Sequence, residues 1–163
     1  MKQLIVRTIA LAALSLGLAA AASAQDEHGC SNARLAGSWG YTKTGTLYLP
    51  TGAAPFASIG TLTFRADGEV SGKIEASVGG SVSKGDLSGT FEMNSDCLGT
   101  MTSGVYDPSG NLLRTIHMSL VLDDKARELR GLMTSLVLPS GMALPSTITG
   151  NARRLSPDQG DEQ

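Results

Sequence analysis

Residues 61–74 read TLTFRADGEVSGKI, and this stretch decides the fold class. Its centre, Asp67-Gly68, is the turn signal most typical of a tight β-hairpin. On both sides of the turn, apolar residues alternate with polar ones, as they do in a strand with one buried face. The apolar positions are Leu62, Phe64, Val70 and Ile74. The pattern therefore predicts two antiparallel strands joined by a short turn.

The same alternation continues over most of the chain. Turn residues divide the sequence into segments of about ten residues, the spacing typical of an all-β barrel or sandwich. After the first thirty residues, no stretch shows the apolar period of an amphipathic helix over three turns. We predict eight strands, at residues 38–49, 57–66, 69–78, 84–93, 98–106, 112–122, 128–137 and 146–154.

Short links between consecutive strands favour antiparallel neighbours in up-and-down order. Eight such strands can close into a barrel, which removes exposed sheet edges and leaves an interior able to hold one small ligand. We therefore predict an all-β, eight-stranded antiparallel up-and-down β-barrel, with a β-sandwich as the alternative. The seventh strand is apolar on both faces, so its outer face is expected to meet residues 50–56 or a second subunit.

The first residues have the three parts of a secretory signal peptide. Lys2 and Arg7 are basic, an apolar run follows over residues 8–21, and Ala22-Ser23-Ala24 offers a cleavage site before Gln25. We therefore predict a signal peptide at 1–24, a barrel domain at 25–155 and a disordered acidic tail at 156–163. The protein is then exported, to the periplasm or to the medium.

The charge and composition of the chain limit the classes of binding partner that we expect for it. Removal of residues 1–24 takes away two of thirteen basic residues and none of fifteen acidic ones, which leaves a formal charge of −4. This charge gives no reason to expect nucleic acid as a partner. Insertion into a membrane as a barrel would need girdles of aromatic residues, which the sequence lacks. A homo-oligomer remains open.

Cys30 and Cys97 are the two cysteines, and in an exported protein they are expected to form a disulfide. A metal site would need clustered His or Cys ligands, and the histidines are only His28 and His117. His117 has the outward parity of its strand, so we expect it to face solvent. We predict neither a metal nor a cofactor.

Gly37-Ser38-Trp39 resembles the Gly-x-Trp that opens the first strand of lipocalin- and avidin-like barrels, the calycins. In such barrels the tryptophan closes one end, and a basic residue of the last strand packs over it. Arg153 and Arg154 stand at that place here. Arg154 shares its strand parity with Ile148 and Ala152, so we predict that Arg154 pairs with Trp39 at one barrel end and that Arg153 points outward. Avidin-type sites also use several tryptophans and a tyrosine. This chain has one Trp and Ile74 at the tyrosine position, which argues against biotin.

Most of the domain is also similar to a group of uncharacterised exported bacterial proteins. The shared motifs are Cys-Ser-Asn-Ala near the start, Gly-x-Leu-Thr-Phe before an Asp-Gly turn, and the block from Gly89 to Thr100. This resemblance implies a barrel of the calycin or allene-oxide-cyclase type, and it implies no function.

Three functional classes follow from a small exported barrel. The first is a module that binds a small apolar molecule in the barrel; a cavity of at least a few hundred Å³ would favour it, and a filled interior would argue against it. The second is a surface or assembly protein. The third, a barrel cyclase or isomerase, would need inward ionisable residues, of which Lys43 and Arg154 are the candidates, so no catalytic residue is assigned. The predicted ligand wall is Tyr41, Phe64, Ile74, Phe91, Met101 and Met118.

Overall fold

A computed structural model describes residues 29–155, and these form strands with one short helix. The predicted signal peptide and the predicted disordered tail lie outside the described residues. The elements are α1 (Asn32–Leu35), β1 (Gly37–Leu49), β2 (Gly52–Phe64), β3 (Glu69–Val78), β4 (Ser81–Met93), β5 (Leu98–Tyr106), β6 (Leu112–Leu122), β7 (Glu128–Val137), β8 (Ala143–Leu144) and β9 (Ser146–Arg154). Among these residues, no helix is long and apolar enough to cross a membrane.

The strands form one closed antiparallel barrel. From β1 to β7 each strand pairs with the next, and β9 pairs with both β7 and β1. The short β8 adds to the end of β7 and is not needed for closure. The predicted eight-stranded up-and-down barrel is therefore confirmed, and the sandwich alternative is wrong.

Two strands begin earlier than the sequence predicted. β4 starts at Ser81 rather than 84, and β2 starts at Gly52 rather than 57. Pro55 lies within β2, although a proline cannot donate a backbone hydrogen bond. The Pro55 carbonyl accepts from the Gly79 N–H at 2.9 Å, so the proline nitrogen faces the side on which β3 has ended. The ladder between β1 and β2 therefore loses no bond at this proline.

The expectation that residues 50–56 cover the outer face of β7 is wrong, and Leu132 on that face is exposed. The register with β6 shifts between His117 and Met118, because Met118 opposes Met133 whereas His117 opposes Ser135. The extra residue, Thr134, makes a β-bulge that reverses the inward parity of the strand. Three apolar side chains of β7 consequently point inward: Leu129, Met133 and Leu136. Residues 50–56 do not cover this strand, because they belong to the β1–β2 hairpin.

One end of the barrel, here called the closed end, is covered by α1. Ser31 caps this helix, and its hydroxyl accepts from the Arg34 N–H at 3.3 Å. Leu35 is completely buried against the barrel core. Cys30 and Cys97 form a disulfide with their Cα atoms 4.9 Å apart, which ties the segment before α1 to the loop between β4 and β5. The predicted cysteine pairing is present, and it holds α1 on the closed end.

Candidate functional site

Polar side chains interrupt the apolar lining of the barrel at four positions. Each lies at the inward parity of its strand, so the same alternation that turns Leu, Ile and Met inward turns these side chains inward too. They are Lys43 on β1, Ser58 on β2, Ser103 on β5 and Arg114 on β6. We call these four residues the interior polar cluster.

Lys43 is 4% exposed and lies between two partner strands. Ser58 opposes it on β2, and Gly150 opposes it on β9. A Cβ atom on Gly150 would lie 2.6 Å from Cγ of Lys43, so the absence of a side chain there makes room for the lysine stem. The Lys43 Nζ lies 4.8 Å from the centre of the Tyr41 ring. The ammonium is thus held inside the barrel on an aromatic face.

The interior polar cluster has unsatisfied hydrogen-bonding groups. No group of residues 29–155 lies within hydrogen-bond distance of Lys43 Nζ, Ser58 Oγ, Ser103 Oγ or Arg114 Nε, and all four atoms are buried. Native proteins pair the large majority of their buried polar atoms, because an unpaired one costs about 1–3 kcal/mol and a charged one more. Four such atoms in one barrel therefore mark a site where polar groups are kept available.

Burial shifts the titration of these groups. Burial and, to a smaller extent, the nearby positive charge of Arg114 together lower the pKa of Lys43 to about 8. Burial also lowers the pKa of Arg114, while Tyr41 opposes that shift. Desolvation raises the pKa of Tyr41, so the phenol stays neutral. Near neutral pH both Lys43 and Arg114 consequently remain charged.

A cavity of about 20 Å³ lies beside Lys43. This volume suits a group about the size of a water molecule, well below the several hundred Å³ of a preformed ligand pocket. Four of the six predicted wall residues line it: Tyr41, Phe64, Met101 and Met118. Ile74 and Phe91 are buried in the core but do not line this cavity. The interior is therefore largely filled by side chains, which is less open than the sequence-based binding hypothesis required.

The closed end contains the pair that the calycin resemblance implied. The Arg154 guanidinium carbon lies 4.7 Å from the centre of the Trp39 ring. The same guanidinium donates to the carbonyls of Ala36 at 2.6 Å, Arg34 at 2.7 Å and Ala126 at 3.0 Å. Arg153 is exposed. Arg154 is thus fully engaged in holding α1 and the β6–β7 loop, and its role is structural.

His117 lies on the outer face of β6, as its parity indicated. Its Nδ1 lies 3.0 Å from the hydroxyl of Thr102 on the neighbouring strand. Within residues 29–155, no three His, Cys, Asp or Glu side chains come together in a way that could hold a metal ion. The histidine is therefore part of a cross-strand contact on the surface.

A groove of about 630 Å³ runs over the outer surface of β5, β6, β7 and β9. Three apolar side chains in it are about half exposed: Leu98, Val121 and Leu132. Leu98 and Val121 oppose each other across β5 and β6. The remaining outward side chains of the groove are mostly polar, among them Thr100, Ser119, Thr149 and Asn151.

Two members of the interior polar cluster, Ser58 and Arg114, were not predicted from the sequence, whereas Lys43 and Ser103 were expected to face inward. Arg114 shares the parity of Ile116, and Ser103 shares that of Met101. The alternation that turns the apolar side chains of these strands inward therefore also places these two residues inside the barrel.

No known protein family matches this sequence, and no curated protein matches it either. The structural features that remain as a basis for a function are therefore the closed β-barrel and the interior polar cluster.

Proposed function

We propose that this protein is an exported binding protein that holds one small molecule inside its barrel. The observation that carries the proposal is the set of four buried polar atoms without a protein partner. A bound molecule with suitably placed polar atoms would remove the desolvation cost of leaving them unpaired. The closed strand ladder supplies a rigid support for such a site.

Binding fits the interior polar cluster better than catalysis does. General acid–base catalysis needs a group that exchanges its proton near the working pH, together with a partner that it serves. Lys43 is the only cluster member with a pKa in that region, at about 8. Its charged or aromatic neighbours, Arg114 and Tyr41, both retain their protons at neutral pH. The cluster therefore offers hydrogen-bond donors and positive charge rather than an acid and a base.

Binding requires movement of the side chains that fill the interior. Met101 and Met118 line the small cavity beside Lys43. Methionine is unbranched and adapts its rotamer to its surroundings, so it can open space at low cost. We infer that a ligand displaces these two side chains and keeps its polar atoms on the cluster. The rest of the ligand then meets apolar side chains.

Export is part of the proposal. A disulfide such as Cys30–Cys97 persists in oxidising compartments and is rare in the cytosol. The basic, apolar and small-residue segments at the start of the chain support the same location. We propose a periplasmic or secreted protein.

Native mass spectrometry tests the binding function. The protein is isolated from an exporting host, and its mass is compared under native and denaturing conditions. We expect one non-covalent adduct per chain in the native spectrum only. Lys43→Met should lose the adduct, whereas Lys73→Met, which removes an exposed lysine, should keep it. A native mass equal to that of the polypeptide, with no saturable uptake of an apolar fluorescent probe, would contradict the proposal.

Assembly is the second candidate function, and the outer groove with Leu98, Val121 and Leu132 favours it. Exposed apolar side chains that lie together on a surface are typical of interaction sites. The same native spectrum reports subunit number. A mass that is a multiple of one chain, reduced to one chain by Val121→Lys, would support a homo-oligomer formed through this groove.

A further inference from the structure

Besides Arg154 at the closed end, two basic side chains and, among residues 29–155, no acidic side chain are turned into the barrel. Lys43 and Arg114 come from β1 and β6, yet the charge of Arg114 lowers the pKa of Lys43, so the two cations lie within electrostatic reach of each other. None of the described Asp and Glu side chains is buried. Lys43 is buried and Arg114 is partly buried. Burial of like charges without a counter-charge is unfavourable, and no buried carboxylate of residues 29–155 compensates for the solvation that these two groups lose.

The surface of the barrel is different. Several of its basic residues have an acidic partner within 4 Å, even though such exposed pairs add little stability. These pairs are Arg65–Asp67, Arg65–Glu69, Lys73–Asp86, Lys84–Glu75 and Arg130–Glu128. Exposed basic residues of the barrel are thus paired with carboxylates although water already solvates them, whereas Lys43 and Arg114 inside the barrel have no carboxylate partner among residues 29–155.

All four orphaned atoms of the interior polar cluster can donate a hydrogen bond. The ammonium of Lys43 and the Nε–H of Arg114 are donors only, and the hydroxyls of Ser58 and Ser103 can donate as well. Ser58 opposes Lys43 directly, and Ser103 lies two positions from Val105, the residue that opposes Arg114. A group that satisfies this set must be an acceptor, and an anion is the acceptor that also compensates two positive charges.

We propose that the molecule held in the barrel carries an anionic group, a carboxylate or a phosphate monoester, bound by Lys43 and Arg114 with Ser58 and Ser103. This inference rests on the proposed binding function and adds the chemical class of the ligand. The side chains around the cavity are otherwise apolar, including Leu62, Phe64, Leu129 and Ala152. The ligand is therefore a small amphipathic anion, with its acidic group on the cluster and an apolar body among these side chains.

Thermal unfolding with matched eight-carbon compounds tests the inference. Octanoate, octyl phosphate and octanol are titrated at equal ionic strength into the wild-type protein. We expect at least one anion to raise the Tm and to bind about tenfold more tightly than octanol, the difference that charged hydrogen bonds supply. Lys43→Met and Arg114→Leu should each abolish the shift, and Lys73→Met should keep it. Two separate site variants allow the test to proceed if one of them does not fold.

The outcomes distinguish the two proposals. A Tm shift with octanol equal to that with the anions would overturn the anion inference and leave binding in the barrel intact. An anion shift that survives in both site variants would place the anion elsewhere and overturn the inference. No shift with any compound would also overturn it, and the native mass of the isolated protein then decides the binding function separately. A shift with only one anion identifies the acidic group.

Discussion

Lys43 and Arg114 place two basic groups inside a barrel that is otherwise almost entirely apolar. Each loses hydration on folding, and their mutual repulsion adds to that cost. Binding sites commonly reduce the stability of the fold that contains them. At the scale of single residues, the interior polar cluster is therefore expected to lower the stability of the fold, which is consistent with the proposed binding site.

Lys43→Met should therefore stabilise the domain when no anion is bound. Burial lowers the Lys43 pKa from 10.5 to about 8, so below pH 8 the fold contains a buried charge that methionine lacks. We expect the free energy of unfolding near pH 7 to increase by about 1–3 kcal/mol. The destabilisation by the buried charge is fully present below pH 8. It decreases as the pH rises from about 8 to 10.5, because the folded protein releases the lysine proton in this range while the unfolded chain keeps it.

Urea unfolding at about pH 7 and about pH 10 measures this effect. The advantage of Lys43→Met over wild type should shrink at the higher pH, while the control Lys73→Met should stay close to wild type at both. A Lys43→Met protein less stable than wild type near pH 7, or a difference that does not depend on pH, would contradict the account of a charged, unpaired lysine.

At this scale, the alternation indicates the face on which most side chains lie, but not which contacts they make. Alternation about Ile116 and Met118 turns Arg114 inward, and alternation about Leu62 turns Ser58 inward. Whether such a polar group finds a partner depends on strands distant in sequence. The unpaired state of the cluster therefore became visible only in three dimensions.

The elements at the closed end are joined by one side chain. Arg154, at the end of β9, donates to the carbonyl of Arg34 in α1, to that of Ala36 directly after α1, and to that of Ala126 in the β6–β7 loop. These contacts link segments more than a hundred residues apart, and Trp39 packs beneath the guanidinium. The arginine thus fixes the positions of the elements that cover the barrel end.

Arg154→Met should destabilise the domain by about 2–4 kcal/mol, because three carbonyls lose charge-assisted hydrogen bonds. Arg153→Met is a matched control on the outer face of the same strand and should have little effect. Guanidinium-induced unfolding of both variants measures the difference. Equal stability of the two variants would show that the closed end does not depend on Arg154.

Removal of the disulfide should also weaken this end. A bridge over 67 residues stabilises the folded chain by about 4 kcal/mol in the chain-entropy model. The double variant Cys30→Ala, Cys97→Ala should lose about that amount, and reduction of the wild type should give the same loss. A loss below about 1 kcal/mol would mean that the other contacts of α1 hold the closed end alone.

Element boundaries were less predictable than element order. β2 continues through Pro55, whose nitrogen faces no partner strand, and the bulge at Thr134 changes the inward parity of β7. The helix α1 has four residues, too few for a helical period to be visible. In each case a tertiary contact decided what the local pattern left ambiguous.

At the scale of the whole molecule, closure of the strands follows from the number of regular segments and the short turns between them. These two features do not determine how completely side chains fill the interior of the barrel. The filling depends on such pairs as Gly131 and Met118, where a Cβ on the glycine would lie 2.7 Å from the methionine Cε. Small residues opposite long ones fill the barrel almost completely, and composition does not reveal this arrangement.

The pKa of Lys43, measured by NMR of its labelled side chain, tests the central claim most directly. Without an added anion we expect a value of about 8, because the ammonium is buried beside Arg114. Saturation with octanoate or octyl phosphate should raise it by about one unit or more, because an anion stabilises the charged form. A pKa near the ordinary lysine value without anion, or one that neither anion changes, would contradict the account.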